Sequence, residues 1–363
     1  MRILVDCRYV RFDRHDGISR FSSRVTEALS QLHPVTMLIH DERQLALLPD
    51  LPWEKIQAPT SLLEPLVARQ VNKLAPDVVW TPMQTMGGFG RRYALVNTVH
   101  DLIYYVNRTP PRDLPWVIRL IWRAYHLSWW PQRLLLNAAD EVVTVSETTR
   151  GLIAEHRLTK RPVSVVTNAP DPAIGVVSRS APAERSLLYM GSYMPYKNVE
   201  TLAAAMHQLP GYTLHLLSKA SPEVRDRLAH VAPEGSLVFH GGVSDEEYAA
   251  LLDSATALVT ASRNEGFGIP LVESMARGTP VVVSDIPVFR EVGADAALYF
   301  GPDDPSGLAA QVKALEEPGE WASRSTASRS RAEHYSWDNA AQSLLEVLTR
   351  AARARGATTR SAP

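Results

Sequence analysis

The feature that most constrains this chain is its rhythm: short, β-branched apolar runs recur between stretches of helical spacing, in two successive series. Strands of a parallel sheet are covered by helices on both faces, so they read as near-continuous apolar runs rather than as alternating ones. The first series predicts strands at 2–5, 35–39, 78–80, 95–99, 141–145 and 163–166, with a helix over 17–32 whose Ile18, Phe21, Val25 and Leu29 share one face. The second predicts strands at 187–190, 214–217, 237–239, 257–260, 280–284 and 297–300. Between them, 168–184 is rich in Pro, Ala and Ser and lacks periodicity, as a linker does. The expected organisation is α/β, with two Rossmann-like domains at 1–170 and 180–337. A final helix at about 338–353 is expected to return to the first domain, followed by a frayed tail at 356–363.

At 363 residues the chain is long enough for two such domains. Its 38 Lys and Arg nearly cancel its 39 Asp and Glu, so no global basic field points to nucleic acid. The single cysteine, Cys7, excludes an intramolecular disulfide and reads as a buried thiol. The apolar run at the start stops at Asp6, too soon for a signal peptide, and no stretch offers the ~18 apolar residues of a membrane span. The expected location is the cytoplasm, with peripheral contact at the membrane's cytoplasmic face left open. That opening comes from 115–137, where Trp116, Trp122, Trp129 and Trp130 are interspersed with Arg119, Arg123 and Arg133. One reading is an amphipathic helix packing its aromatics on the first sheet; the other is an exposed aromatic and basic face for a membrane or a long sugar chain.

The segment richest in chemistry is TASRNEGFGIPLVESMARGTPVVVSDIP, from Thr260 to Pro287. A strand end is followed by Gly266, Phe267 and Gly268, then by a predicted helix from about Pro270 to Arg277 that stops at Gly278. Pro in the first turn and Gly past the end match helix-terminal preferences. Such a strand–glycine loop–helix unit offers free backbone N–H groups and a positive dipole end, which suits a phosphate. Glu265 precedes the helix and Glu273 lies about one turn inside it, where a carboxylate can accept hydrogen bonds from both ribose hydroxyls. A first-turn glutamate can also simply stabilise the helix dipole, by ~0.3–1 kcal/mol.

This segment resembles the signature E-G-F-G-x-P-x-x-E-x-M-A-x-G-x-P-V-V of the family 4 retaining glycosyltransferases, which share the GT-B fold of two Rossmann-like domains with parallel sheets facing a central cleft. The likeness extends over most of the chain. Leu188-Tyr189-Met190-Gly191 with Pro195-Tyr196-Lys197-Asn198 is similar to the family's second phosphate motif. His240-Gly241-Gly242-Val243-Ser244 resembles its nucleobase-side loop, Gly17-Ile18-Ser19-Arg20 its first glycine loop, and Thr98-Val99-His100-Asp101 its active-site histidine.

The resemblance implies His100, Glu265 and Lys197 as catalytic residues. It implies donor contacts from Gly17, Gly191, Ser192, Lys197, Asn198, Gly242, Val243, Arg263, Gly266, Phe267, Gly268, Ile269 and Glu273. The charged loop Arg14, His15 and Asp16, with Asp101, is the expected acceptor side. Lys197 follows a strand end and a glycine, at the carboxyl edge where open α/β sheets bind ligands; one charge-assisted bond there is worth ~1.5–3 kcal/mol. Many family members carry an arginine where this chain has Ser192, which leaves Arg263 as the candidate second cation. Others have two glycines where this chain has Asp16-Gly17.

The chain has no G-x-G-x-x-G after its first strand, no Asp-x-Asp triplet and no zinc spacing, so neither a dinucleotide cofactor nor a metal is expected. The helix dipole, backbone amides and Lys197 would then stabilise the leaving diphosphate. Asp16-Gly17-Ile18-Ser19-Arg20-Phe21 and Val99-His100-Asp101-Leu102-Ile103 resemble the GDP-mannose-dependent branch. This implies transfer of mannose to a glycan, a polysaccharide or an oligosaccharide. The alternatives are a UDP-sugar donor, a GT-B nucleotide-sugar epimerase, or a non-catalytic glycan-binding protein.

Overall fold

Burial on both faces organises the chain, as the apolar runs require. The computed structural model describes residues 1–110, 115–171 and 179–360. It divides into two units, 1–168 with 336–363, and 169–335.

In the first unit seven parallel strands, β1 (Ile3–Asp6), β2 (Val35–Ile39), β3 (Trp53–Lys55), β4 (Val78–Thr81), β5 (Ala94–Val99), β6 (Glu141–Thr144) and β7 (Val163–Val165), are ordered β3-β2-β1-β4-β5-β6-β7. All residues of β1, β4, β5 and β6 are buried. The edge strand β3 is exposed, and its Trp-Glu-Lys carries no apolar run by which it could be anticipated. The helix Gly17–Leu32 is capped by Asp16, whose Oδ1 accepts from Ser19 N at 2.8 Å, and it buries Phe21, Val25 and Leu29. It stops because Pro34 holds His33 in extended backbone.

The helix Trp337–Arg360 belongs to this unit and packs on Gly17–Leu32 through buried Ala340, Ala341, Leu344 and Leu348, with the Trp337 ring 6.2 Å from that of Phe21. Arg350 grips buried Glu141 with two bonds, of 2.9 and 2.6 Å. The expected tail at 356–363 needs correction, because the helix continues through Arg360. Ala and Arg favour helix strongly enough for it to pass Gly356, at a cost of about 1 kcal/mol. Residues 361–363 lie outside those described.

The second unit repeats the scheme with six parallel strands, β8 (Ser186–Tyr189), β9 (Thr213–Leu216), β10 (Leu237–Phe239), β11 (Ala257–Thr260), β12 (Val281–Ser284) and β13 (Leu298–Phe300), ordered β10-β9-β8-β11-β12-β13. The chain winds outward from β8 in one direction and from β11 in the other, so the crevice between these neighbours is the topological switch point. Part of the expected linker, 172–178, lies outside the described residues. Its end is pinned to this unit: Arg179 donates to Thr279 Oγ1 at 2.8 Å, and Ala183 and Glu184 N–H groups reach Ser254 O.

Residues 115–137 form two helices rather than one, Trp116–Tyr125 and Trp130–Ala138. Trp129 and Tyr105 stack at 4.1 Å and Leu136 is buried, yet the first of these helices buries no residue fully.

Candidate active site

The second sheet gathers the glycine motifs along its carboxyl edge. After β8 the chain turns at Gly191, where an added Cβ would lie 2.8 Å from Tyr189 Oη; that hydroxyl donates to Ser192 O at 2.6 Å. Gly191 N–H is held by Ser218 Oγ, which follows β9. A short 3₁₀ turn, Pro195–Lys197, then ends at Asn198 in the left-handed region, with φ 52°. Asparagine tolerates that conformation, and its amide fastens the turn to Pro302 O at 2.6 Å and to Asp303 Oδ1 at 3.2 Å.

Because β8 and β11 are neighbours, the two segments that leave them meet. Lys197 Nζ and Glu265 Oε1 are 2.5 Å apart, with side chains 17% and 14% exposed. Ser262 Oγ donates to the same Oε1 at 2.8 Å. Glu265 is thus oriented from two sides through one oxygen. Lysine has three donors, so the contact leaves Lys197 with N–H groups to direct at an anion.

Gly268 sits at φ +99°, and a Cβ there would lie 2.9 Å from Phe289 Cε1; both conditions demand glycine. It caps the helix Ile269–Ala276, with Pro270 in the first turn. Among the described residues no acceptor meets the N–H groups of Gly266, Phe267, Gly268 or Ile269. These amides therefore present an anion cradle at the positive end of a helix, beside Lys197. Glu273 lies inside this helix and is buried. The Phe267 ring packs edge-on to Tyr335 at 5.4 Å, so at the cradle this residue offers its backbone.

Arg263, the candidate second cation, donates to Pro195 O at 3.1 Å and pairs with Asp303, whose carboxyl it holds below the usual range. In this arrangement it braces the turn that carries Lys197. On the far side of the edge, Gly241 and Gly242 adopt φ +76° and +111°, and Gly242 N–H bonds Leu217 O. Val243 then leads into the helix Asp245–Ser254, which Ser244 and Glu247 close with a capping box. His240 is hydrogen-bonded to His215, with ring nitrogens 2.9 Å apart.

The first unit places His100 directly after β5, at the carboxyl edge of its own sheet. Its Nε2 is 2.7 Å from Pro82 O, and its ring meets Phe21 edge-on at 5.2 Å. Burial lowers its pKa to about 4, against the opposing pull of the Pro82 carbonyl and Asp16. A carbonyl only accepts, so Nε2 carries the proton of the neutral ring and Nδ1 is left as an acceptor. Asp101 Oδ1 caps the next turn by accepting from Ile103 N at 3.0 Å. Asp16 pairs with Arg11 at 2.7 Å, His15 Nδ1 lies 2.8 Å from Ser19 Oγ, and Arg14 is exposed. Together Arg11 to Asp16 border a hollow of about 430 Å³ ahead of Gly17.

Sequence reasoning missed the supports behind these groups. Arg8 is buried and joined to Asp6 (Nε–Oδ1 2.7 Å) and Glu64 (2.8 Å), which anchors the loop after β1. Its only signal is a charge set among apolar residues just past a strand. Ser262 and Ser218, also just past strand ends, carry no signal of their own. Cys7 is buried, and burial pushes its thiol pKa far up, consistent with a structural role.

The model "Glycosyl transferases group 1" matches residues 175–331, and "Glycosyltransferase Family 4" matches 15–173. The O-antigen chain mannosyltransferase B of Escherichia coli is 30% identical over 67% of this chain and 67% of its own length. This chain belongs to glycosyltransferase family 4. It is a glycosyltransferase of the GT-B fold.

Within the family it is 26% identical to the O-antigen chain mannosyltransferase RfbU of Salmonella typhimurium, over 83% of this chain and 87% of that protein. The serotype-specific mannosyltransferases WbdA of Escherichia coli are longer, and the match spans about a third (32%) of one at 30% identity. A solved structure with the same fold is Anabaena Alr3699/HepE in complex with UDP and glucose, with TM-score 0.73 and 18% identity, covering 96% of this chain and all (100%) of that one.

Proposed function

We propose that this glycosyltransferase moves mannose from GDP-mannose to a glycan acceptor with retention of configuration. The observation that carries the reading is the pairing of Lys197 with Glu265 beside the unpartnered amides of Gly266 to Ile269. That edge offers a diphosphate one cation, several N–H donors and a helix dipole, all fixed before the substrate arrives. As the bond to the anomeric carbon breaks, negative charge develops on the leaving phosphate oxygen. Lys197 and the amides stabilise it, and the oxygen takes the acceptor hydroxyl's proton. Glu265, braced by Ser262, turns its second oxygen to a sugar hydroxyl, and Glu273 holds the ribose.

The choice of mannose is supported by relatives named mannosyltransferases, at 26% and 30% identity. A UDP-sugar is the second reading, motivated by the UDP and glucose named for the HepE complex. No metal is assigned a role: the sequence lacks an Asp-x-Asp triplet, and among the described residues no three His, Cys, Asp or Glu side chains gather as a metal site.

Incubation with radiolabelled GDP-mannose, UDP-glucose and UDP-galactose, each with and without EDTA, tests the reading. The expected result is transfer from GDP-mannose that persists in EDTA, giving an α-linked product by NMR. Turnover of UDP-sugars alone would transfer the assignment to the second reading. Loss of activity in EDTA would refute the metal-free mechanism.

A further inference from the structure

The helix Trp116–Tyr125 packs on its unit through Trp122 and Tyr125. Trp122 meets Tyr104 edge-on at 5.1 Å and lies 4.0 Å from His126. By helical spacing Trp116, Val117, Leu120 and Ile121 occupy the opposite side, and they are 76%, 45%, 60% and 63% exposed. Four large apolar side chains on adjoining turns exceed the scattered exposure that a soluble surface normally shows. Leu127 and Trp130 continue the exposure past the end of the helix.

Charge identifies what covers this face. From Pro115 to Ala139 the sequence contains Arg119, Arg123 and Arg133 and neither Asp nor Glu, in a chain whose net charge is −1. Arg123 falls beside Trp116 and Leu120, at the rim of the apolar side. A sugar chain fits poorly, since its hydroxyls would be buried against Val, Leu and Ile with nothing to bond. A second copy fits poorly too, because a two-fold contact would bring the arginines of one protomer against those of the other. An anionic bilayer satisfies both features: the apolar side enters the acyl boundary, Trp116 sits at headgroup depth, and exposed Arg123 at the rim meets lipid phosphates.

We infer that Trp116–Tyr125 is an interfacial helix that docks this protein on an anionic lipid surface.

The test is co-sedimentation of the full chain with vesicles of phosphatidylcholine alone, or of phosphatidylcholine and phosphatidylglycerol in equal parts. Binding is expected only to the anionic vesicles, weakened by salt and accompanied by a blue shift of tryptophan emission. Arg123→Glu should reduce it more than about fivefold, and Leu120→Ser with Ile121→Ser more than about tenfold, with melting temperatures unchanged. Three outcomes would overturn the inference: no vesicle binding, binding untouched by both variants, or light scattering showing a dimer that Leu120→Ser with Ile121→Ser dissociates.

Discussion

Lys197 and Glu265 lie 68 residues apart in sequence and 2.5 Å apart in space, so each fixes the position of the other. Among the described residues, Lys197→Ala removes the cation paired with Glu265 and leaves Ser262 as that carboxylate's partner. It should lower kcat about 100- to 1,000-fold, as loss of a preorganised donor does, with little change in melting temperature. Steady-state kinetics with GDP-mannose, alongside a thermal melt, checks this. The identities of the two residues were legible from their motifs. Their contact was not, because it depends on β8 and β11 being neighbours.

His100 yields a prediction whose sign can be worked out. Its folded-state pKa of about 4 lies below the 6.5 of a free imidazole, through burial. Between those values the unfolded chain holds a proton at this ring that the folded chain does not. Stability therefore rises with pH across that window, and is lost as pH falls from about 6.5 to about 4. The contribution is on the order of 3 kcal/mol. Urea unfolding of wild type and His100→Gln at about pH 7 and about pH 4.5 should show the smaller pH dependence in the variant.

At the scale of elements, strands buried on both faces announced themselves through β-branched runs, and the helix Gly17–Leu32 through its apolar stripe and the Pro34 that follows. What escaped were elements whose cause lies in their neighbours. β3 exists because β2 offers it an edge, and its three residues contain two charges. The aromatic stretch splits into two helices because Pro131 cannot sit inside a continuous helix and instead occupies the first turn of a second one. The last helix outruns its expected end because favourable propensity carries it past one glycine. Beside the Arg350–Glu141 pair its hold on the first unit is apolar: Leu348 is fully buried at 0% exposure, and Leu348→Ala should destabilise that unit by about 2–5 kcal/mol. Denaturant unfolding followed by tryptophan fluorescence measures the loss.

In the whole molecule, two parallel sheets of the same winding order each bring the loops after their strands to one edge. Family membership and fold were readable because the phosphate-binding loop combines several requirements in one short stretch. Gly268 must adopt positive φ and make room for Phe289, Pro270 must start a helix, and Glu273 must sit inside it. Donor base and acceptor leave no comparable mark, because they are set by side chains that need satisfy no backbone constraint. Donor binding, as proposed, depends on a nucleotide diphosphate resting on the amides ahead of Ile269–Ala276. The most direct measurement is an amide-resolved NMR titration of the full chain with GDP and then GDP-mannose. Gly266, Phe267, Gly268 and Ile269 should show the largest shifts, and Lys197→Ala should weaken the titration. Saturable binding that leaves those four amides unmoved and perturbs another region would contradict this placement.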